Sequence, residues 1–131
     1  MEYGVLFISP HGEDAGILSK MLSPLSIPLE HAEDFQQARQ KLERERYDVV
    51  LTEADLPDGS WVDVLNFAGW LNSPSAVIVT HPFADDRLWA EVLNLGGYDL
   101  LAQPFYISEV QRILSNACLH ISEKKVAHAA L

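Results

Sequence analysis

Asp48-Val49-Val50-Leu51-Thr52-Glu53-Ala54-Asp55-Leu56-Pro57-Asp58-Gly59 runs from an apolar stretch directly into an acidic loop that ends in turn residues. The stretch Val49 to Thr52 is too short for a helix. It has no polar alternation, the pattern expected of a strand buried on both faces of a parallel sheet. Two more runs of this kind flank it. Gly4-Val5-Leu6-Phe7-Ile8-Ser9 closes at Pro10, and Ala76-Val77-Ile78-Val79-Thr80 follows downstream. Leu100-Leu101-Ala102, ahead of Gln103-Pro104, is a shorter fourth.

Between the runs, apolar residues recur at helical spacing. The stripes are Ile17, Leu18, Met21, Leu22; Phe35, Ala38, Leu42; Trp61, Val64, Leu65, Ala68; Leu88, Trp89, Val92, Leu93; and Val110, Ile113, Leu114, Ala117, Ile121. They predict five helices, with Trp61 and Trp89 on core-facing stripes. Asp34, Ser60 and Ser108 are the expected N-caps, with Ser108 and Gln111 spaced as a capping box. Ile27 to Ala32 completes a five-fold alternation if it is a strand. Pro28 confines that strand to an edge. Right-handed crossovers then give an α/β fold: a doubly wound, five-stranded parallel sheet of flavodoxin-like (βα)5 type, strand order 2-1-3-4-5. The second strand is an edge in that order.

The chain has 131 residues, enough for one domain with a core. Residues 1–121 are expected to form it, with 122–131 as a helical extension or tail. The net charge of −10 disfavours nucleic acid, and the basic stretch Lys41 to Arg46 is interleaved with acids. No apolar run reaches the ~20 residues of a membrane span. Met1-Glu2-Tyr3 does not begin a secretory signal, so a cytoplasmic location is the default expectation. A lone cysteine, Cys118, excludes an internal disulfide.

In an open α/β sheet the functional crevice lies at the carboxyl ends of the strands. The loops there begin at Ser9-Pro10, Glu53-Ala54, Thr80-His81 and Gln103-Pro104. Leu51 to Gly59 resembles the phospho-acceptor segment of two-component response-regulator receiver domains. Ala76 to Thr80 is similar to their fourth strand, which ends in Ser or Thr. Gly96-Gly97-Tyr98-Asp99-Leu100-Leu101-Ala102-Gln103-Pro104-Phe105 is similar to their fifth, which normally ends Lys-Pro-Phe. Three motifs in order carry the resemblance across most of the chain, from about Gly4 to Ile121.

The resemblance implies positions for a phosphoryl switch, and this sequence departs from nearly all of them. Glu53 stands at the phospho-acceptor Asp. Ser9 and Pro10 stand at the acidic pair that helps to hold Mg²⁺. Thr80 keeps the switch hydroxyl, Gln103 replaces the lysine, and Leu100 takes the switch-aromatic position. By strand alternation Tyr98 shares the face of Leu100. Pro104 is expected to follow a cis bond. Mg²⁺ relies on carboxylates, and Ser9 and Pro10 offer none. Glu53 also reaches ~1.5 Å further than Asp, and a ~1 Å displacement can cost ~10²-fold in rate. A lysine would lack countercharge in such a pocket, whereas Gln103 keeps hydrogen-bonding capacity without the charge.

The resemblance therefore implies a pseudo-receiver, with no catalytic residue, no cofactor and no metal. It would act as a phosphorylation-independent interaction module for a histidine kinase, an output domain or another regulator. The family's docking face, fourth helix to fifth helix, also allows a homodimer, and Trp70 is a further interface candidate. Glu53 has two readings: a phosphate mimic accepting hydrogen bonds from Thr80 or Gln103, or an inert group facing solvent. Alternatives are a working receiver phosphorylated at Glu53 or Asp55, and a flavodoxin-like cofactor binder. The second needs a Ser/Thr/Gly-rich loop after the first strand, where Ser9 to Asp14 is short and acidic. The histidines His11, His31, His81, His120 and His128 have no metal-ligand spacing, so no metal site from His11, His81 and Glu53 is expected.

Overall fold

The computed structural model describes residues 4–71 and 73–129. Met1 to Tyr3, from which no secretory signal was expected, and the last two residues of the expected extension lie outside the described residues.

Five strands form a parallel sheet: β1 (Val5–Ile8), β2 (Leu29–Ala32), β3 (Val49–Glu53), β4 (Ala76–His81) and β5 (Asp99–Ala102). Their order is 2-1-3-4-5, with Val5 opposite both Leu29 and Val49, and Glu53 opposite Thr80. Helices α1 (Gly12–Leu22), α2 (Phe35–Arg44), α3 (Trp61–Trp70), α4 (Asp86–Asn94) and α5 (Ile107–Ala129) connect and cover the strands. This is the doubly wound flavodoxin-like fold. β2 starts just after Pro28 and pairs only with β1, so the proline leaves the ladder intact while its carbonyl accepts from Val5 N–H at 3.1 Å.

The central strands β1, β3 and β4 are apolar over most of their length because alternate residues enter two different cores. Val5, Phe7, Val49, Leu51, Ile78 and Leu101 pack with α1 and α5. Leu6, Ile8, Val50 and Val77 pack with α2 and α3. A third cluster joins Ala54, Trp61, Val79 and Val92, with Leu88 and Leu100 against it.

Four sequence expectations need correction. Trp89 and Leu93 are not core residues. They are 47% and 38% exposed, and Val92 alone is fully buried on α4. That helix covers a sheet edge, so only a narrow stripe of it meets the core. Ile17, placed on the first stripe, is likewise exposed. Ser108 is not an N-cap, because α5 already begins at Ile107, and the Gln111 amide instead donates to the Met21 carbonyl at 3.0 Å. Tyr98 does not share the face of Leu100. It precedes β5 and packs on the α1/α5 core, its ring 5.2 Å from that of His120, while Leu100 faces Val92.

The other two caps form as expected. Asp34 accepts from Gln37 N–H at 2.8 Å, and Ser60 makes a capping box with Asp63. A short antiparallel ribbon, Asp55–Leu56 with Gly59–Ser60, was not foreseen. It turns the loop after β3 back on itself. Two glycines are required before β5. Gly96 has φ +103°, and a Cβ on Gly97 would come within 2.5 Å of a Val92 methyl.

Candidate functional site

The carboxyl ends of β1, β3, β4 and β5 bring Ser9, Glu53, Thr80 and Gln103 into one crevice, as the order of a doubly wound sheet dictates. Ser9 is fully buried. Its hydroxyl donates to the Glu53 carboxylate and accepts from His11 N–H at 3.0 Å. Its backbone is held on both sides. Ser9 N–H donates to the Ala32 carbonyl at 2.9 Å, and the Ser9 carbonyl accepts from His31 Nε2–H at 2.7 Å. The His31 ring also stacks on Phe7 at 5.9 Å.

Thr80 is also fully buried. Its hydroxyl oxygen accepts from the Gln103 side-chain amide at 3.1 Å, and its carbonyl accepts from Ala54 N–H at 3.1 Å. The site is thus divided into two hydrogen-bonded couples, Ser9 with Glu53 and Gln103 with Thr80. Neither sequence reading of Glu53 describes this arrangement. The carboxylate takes its hydrogen bond from Ser9, not from Thr80 or Gln103, and it is half-buried, not free in solvent.

Leu100 lines the wall formed by Val79 and Val92. Pro10 is exposed, and the Gln103-Pro104 bond is cis. Asp55 is 90% exposed, with its carboxylate 3.8 Å from His81 Nε2. The other His81 nitrogen accepts from Phe83 N–H at 2.9 Å. His11, His81 and Glu53 do not converge on a metal site, and no group of three potential ligands forms among the described residues.

A divalent magnesium ion, which receiver domains hold here, does not fit these donors. Mg²⁺ requires octahedral oxygen ligation, normally anchored by carboxylates. Of Ser9, Glu53, Thr80 and Gln103, Glu53 alone carries a carboxylate, and the Ser9 hydroxyl already binds it.

Two contributors were not visible in the sequence. His31 reaches Ser9 from the neighbouring strand, a contact set by the register Phe7 opposite His31. Asp58 accepts from Phe35 and Gln36 N–H at 2.8 and 3.0 Å, joining the β3–α3 loop to the start of α2. The Pro57-Asp58-Gly59 turn was legible, but its distant partner was not.

The fold and the position of the crevice are those of a receiver-type domain. Among curated proteins, the response regulator protein PilR of Pseudomonas aeruginosa is 27% identical over 103 residues, 77% of this chain. Among solved structures, the signal receiver domain of an HD domain-containing protein from Pseudomonas fluorescens Pf-5 is 26% identical. It has a TM-score of 0.83, with coverage of 95% of this chain and 92% of that one. The signal receiver domain of a LuxO repressor protein from Vibrio parahaemolyticus has a TM-score of 0.89 at 19% identity, covering 97% and 98% of the two chains. No protein-family model matches the chain. Over most of its length the chain thus resembles receiver domains of the two-component response-regulator type. It spans 23% of the length of PilR.

Proposed function

We propose that this receiver domain works without phosphorylation and without catalysis, as a protein–protein interaction module whose switch is replaced by fixed hydrogen bonds. The observation that carries the reading is the Ser9–Glu53 couple. A residue at the acidic-pair position satisfies the residue at the acceptor position, so no second carboxylate remains to anchor Mg²⁺. Phosphoryl transfer depends on metal neutralisation and on positioned oxygens, and this crevice supplies neither. Gln103 supports the same reading, because it engages Thr80 directly where a lysine would await a phosphoryl group.

The partner is a protein: a histidine kinase, an output domain, another regulator or a second copy. The surface proposed for it is the face of α4, β5 and the start of α5. Trp89, Leu93, Tyr106 and Ile107 are exposed there. The Trp89 indole N–H donates to Asp99 at 3.3 Å, which holds an exposed ring in a fixed orientation. Rigid aromatics are favoured at interfaces. No described helix is long and apolar enough to cross a membrane.

The test is incubation with a small phosphodonor and Mg²⁺, followed by intact-mass measurement. The expected result is unmodified protein. A stoichiometric phosphoryl adduct, at Glu53 or at Asp55, would overturn the proposal. Light scattering of the wild type beside Trp89→Ala decides whether the face pairs with a second copy.

A further inference from the structure

The core-facing stripe of α5 runs Val110, Ile113, Leu114, Ala117, Cys118 and Ile121, all buried. One turn further on, the same face presents Lys125, a cation where the pattern calls for an apolar residue. Lys125 meets Asp48, the residue just before β3. The Asp48 side chain is 8% exposed and that of Lys125 is 34% exposed. The other Asp48 carboxylate oxygen accepts from Gly4 N–H at 2.9 Å. The Asp48 backbone binds Gly4 and Ala76, each at 2.9 Å. A buried carboxylate without a countercharge is costly, and among the described residues Lys125 is the one cation paired with it.

Beyond Ile121 no residue whose burial is described is fully buried, and Val126 is 67% exposed. Among residues 122–127, then, no fully buried apolar side chain holds the helix, and the ion pair remains as their anchor. We propose that Asp48 and Lys125 form a latch. The segment from Ser122 to Ala129 docks or releases as a unit, while the sheet and the rest of α5 stay folded. With the latch closed, α5 is one continuous rod about 34 Å long. The start of β1 and the end of α5 are then tied to a single carboxylate. Segments with few buried contacts open independently of the global transition, and breaking the pair is what opens this one.

Hydrogen exchange of the full chain tests the latch. Lys125→Met should speed exchange of the 122–129 amides about tenfold and leave the 110–118 amides unchanged. Lys124→Met removes a neighbouring exposed charge with the same effect on the helix dipole, and should change nothing. Lys125→Arg should keep protection within about twofold. Asp48→Asn is read by the same exchange measurement. Equal exchange in Lys125→Met and Lys124→Met would overturn the latch, as would Asp48→Asn leaving the 122–129 amides as protected as in the wild type.

Discussion

The Ser9 hydroxyl donates its proton to the Glu53 carboxylate, joining the end of β1 to the end of β3 across the floor of the crevice. A hydrogen bond to a charged acceptor contributes more than a neutral one, and Ser9 is wholly buried. Ser9→Ala removes the donor and also strands His11 N–H, which loses its acceptor. The expected loss is about 1–2 kcal/mol by urea denaturation. Glu53→Gln keeps an acceptor oxygen in place and should cost less than half as much. If the two variants are equally destabilised, the carboxylate–hydroxyl couple is not what holds this floor together.

A crevice that lost its metal by losing carboxylates should regain the metal when they are returned. The quadruple variant Ser9→Asp, Pro10→Asp, Glu53→Asp, Gln103→Lys should bind Mg²⁺ by calorimetry, whereas Glu53→Asp alone should not. Three carboxylates in one crevice repel each other, so the quadruple variant should be less stable than the wild type without metal. It should recover by about 3 kcal/mol at Mg²⁺ concentrations ~100-fold above the dissociation constant. Magnesium binding by Glu53→Asp alone would show that a single carboxylate suffices, against the proposed reading.

The architecture was legible because its signal is local and repeated. Runs such as Val49-Val50-Leu51 leave only a doubly covered strand, and Pro28 alone marks the edge. Side-chain orientation was legible only inside regular elements. Tyr98 was misplaced because strand alternation was extended one residue into the Gly96-Gly97 turn, where it no longer applies. Trp89 was misplaced because helical periodicity says which residues share a face, and not how much of that face an edge of the sheet can cover. The site's residues could be named from the motifs, but their pairing could not. Ser9 and Glu53 are 44 positions apart, and only the β1–β3 register brings them together. His31 and Lys125 were missed for the same reason, since each acts on a partner that no sequence spacing reveals.

A neutral Gln103 suits a crevice in which the Glu53 carboxylate already has Ser9 as its partner. Gln103→Lys should therefore destabilise the domain by about 1 kcal/mol, through the lost bond to Thr80 and an ammonium without sufficient countercharge. Adding Ser9→Asp supplies that countercharge. The double variant should be more stable than the sum of the two single changes by about 1 kcal/mol, a coupling that a double-mutant cycle measures. Additivity would mean that positions 9 and 103 do not share one electrostatic environment.

Burial, with the neighbouring Asp48 carboxylate, pushes the Cys118 thiol up from 9.0 to about 11. Burial also raises Tyr47, whose hydroxyl donates to Glu30 and Glu45. The folded chain thus holds the Cys118 proton over a range in which the unfolded chain has lost it. By linkage the stabilisation is complete below pH 9 and declines as pH rises towards 11. Each unit of difference corresponds to about 1.4 kcal/mol, so the thiol's share of the decline is about 2–3 kcal/mol. Cys118→Ala removes that share and should flatten the stability profile between pH 9 and 10, a range in which the tyrosines contribute least. Urea midpoints measured at half-unit intervals would show it. An unchanged slope in the variant would mean that the thiol is not the group responsible, and would shift the burden to Tyr47 and Tyr98, the other groups raised by burial.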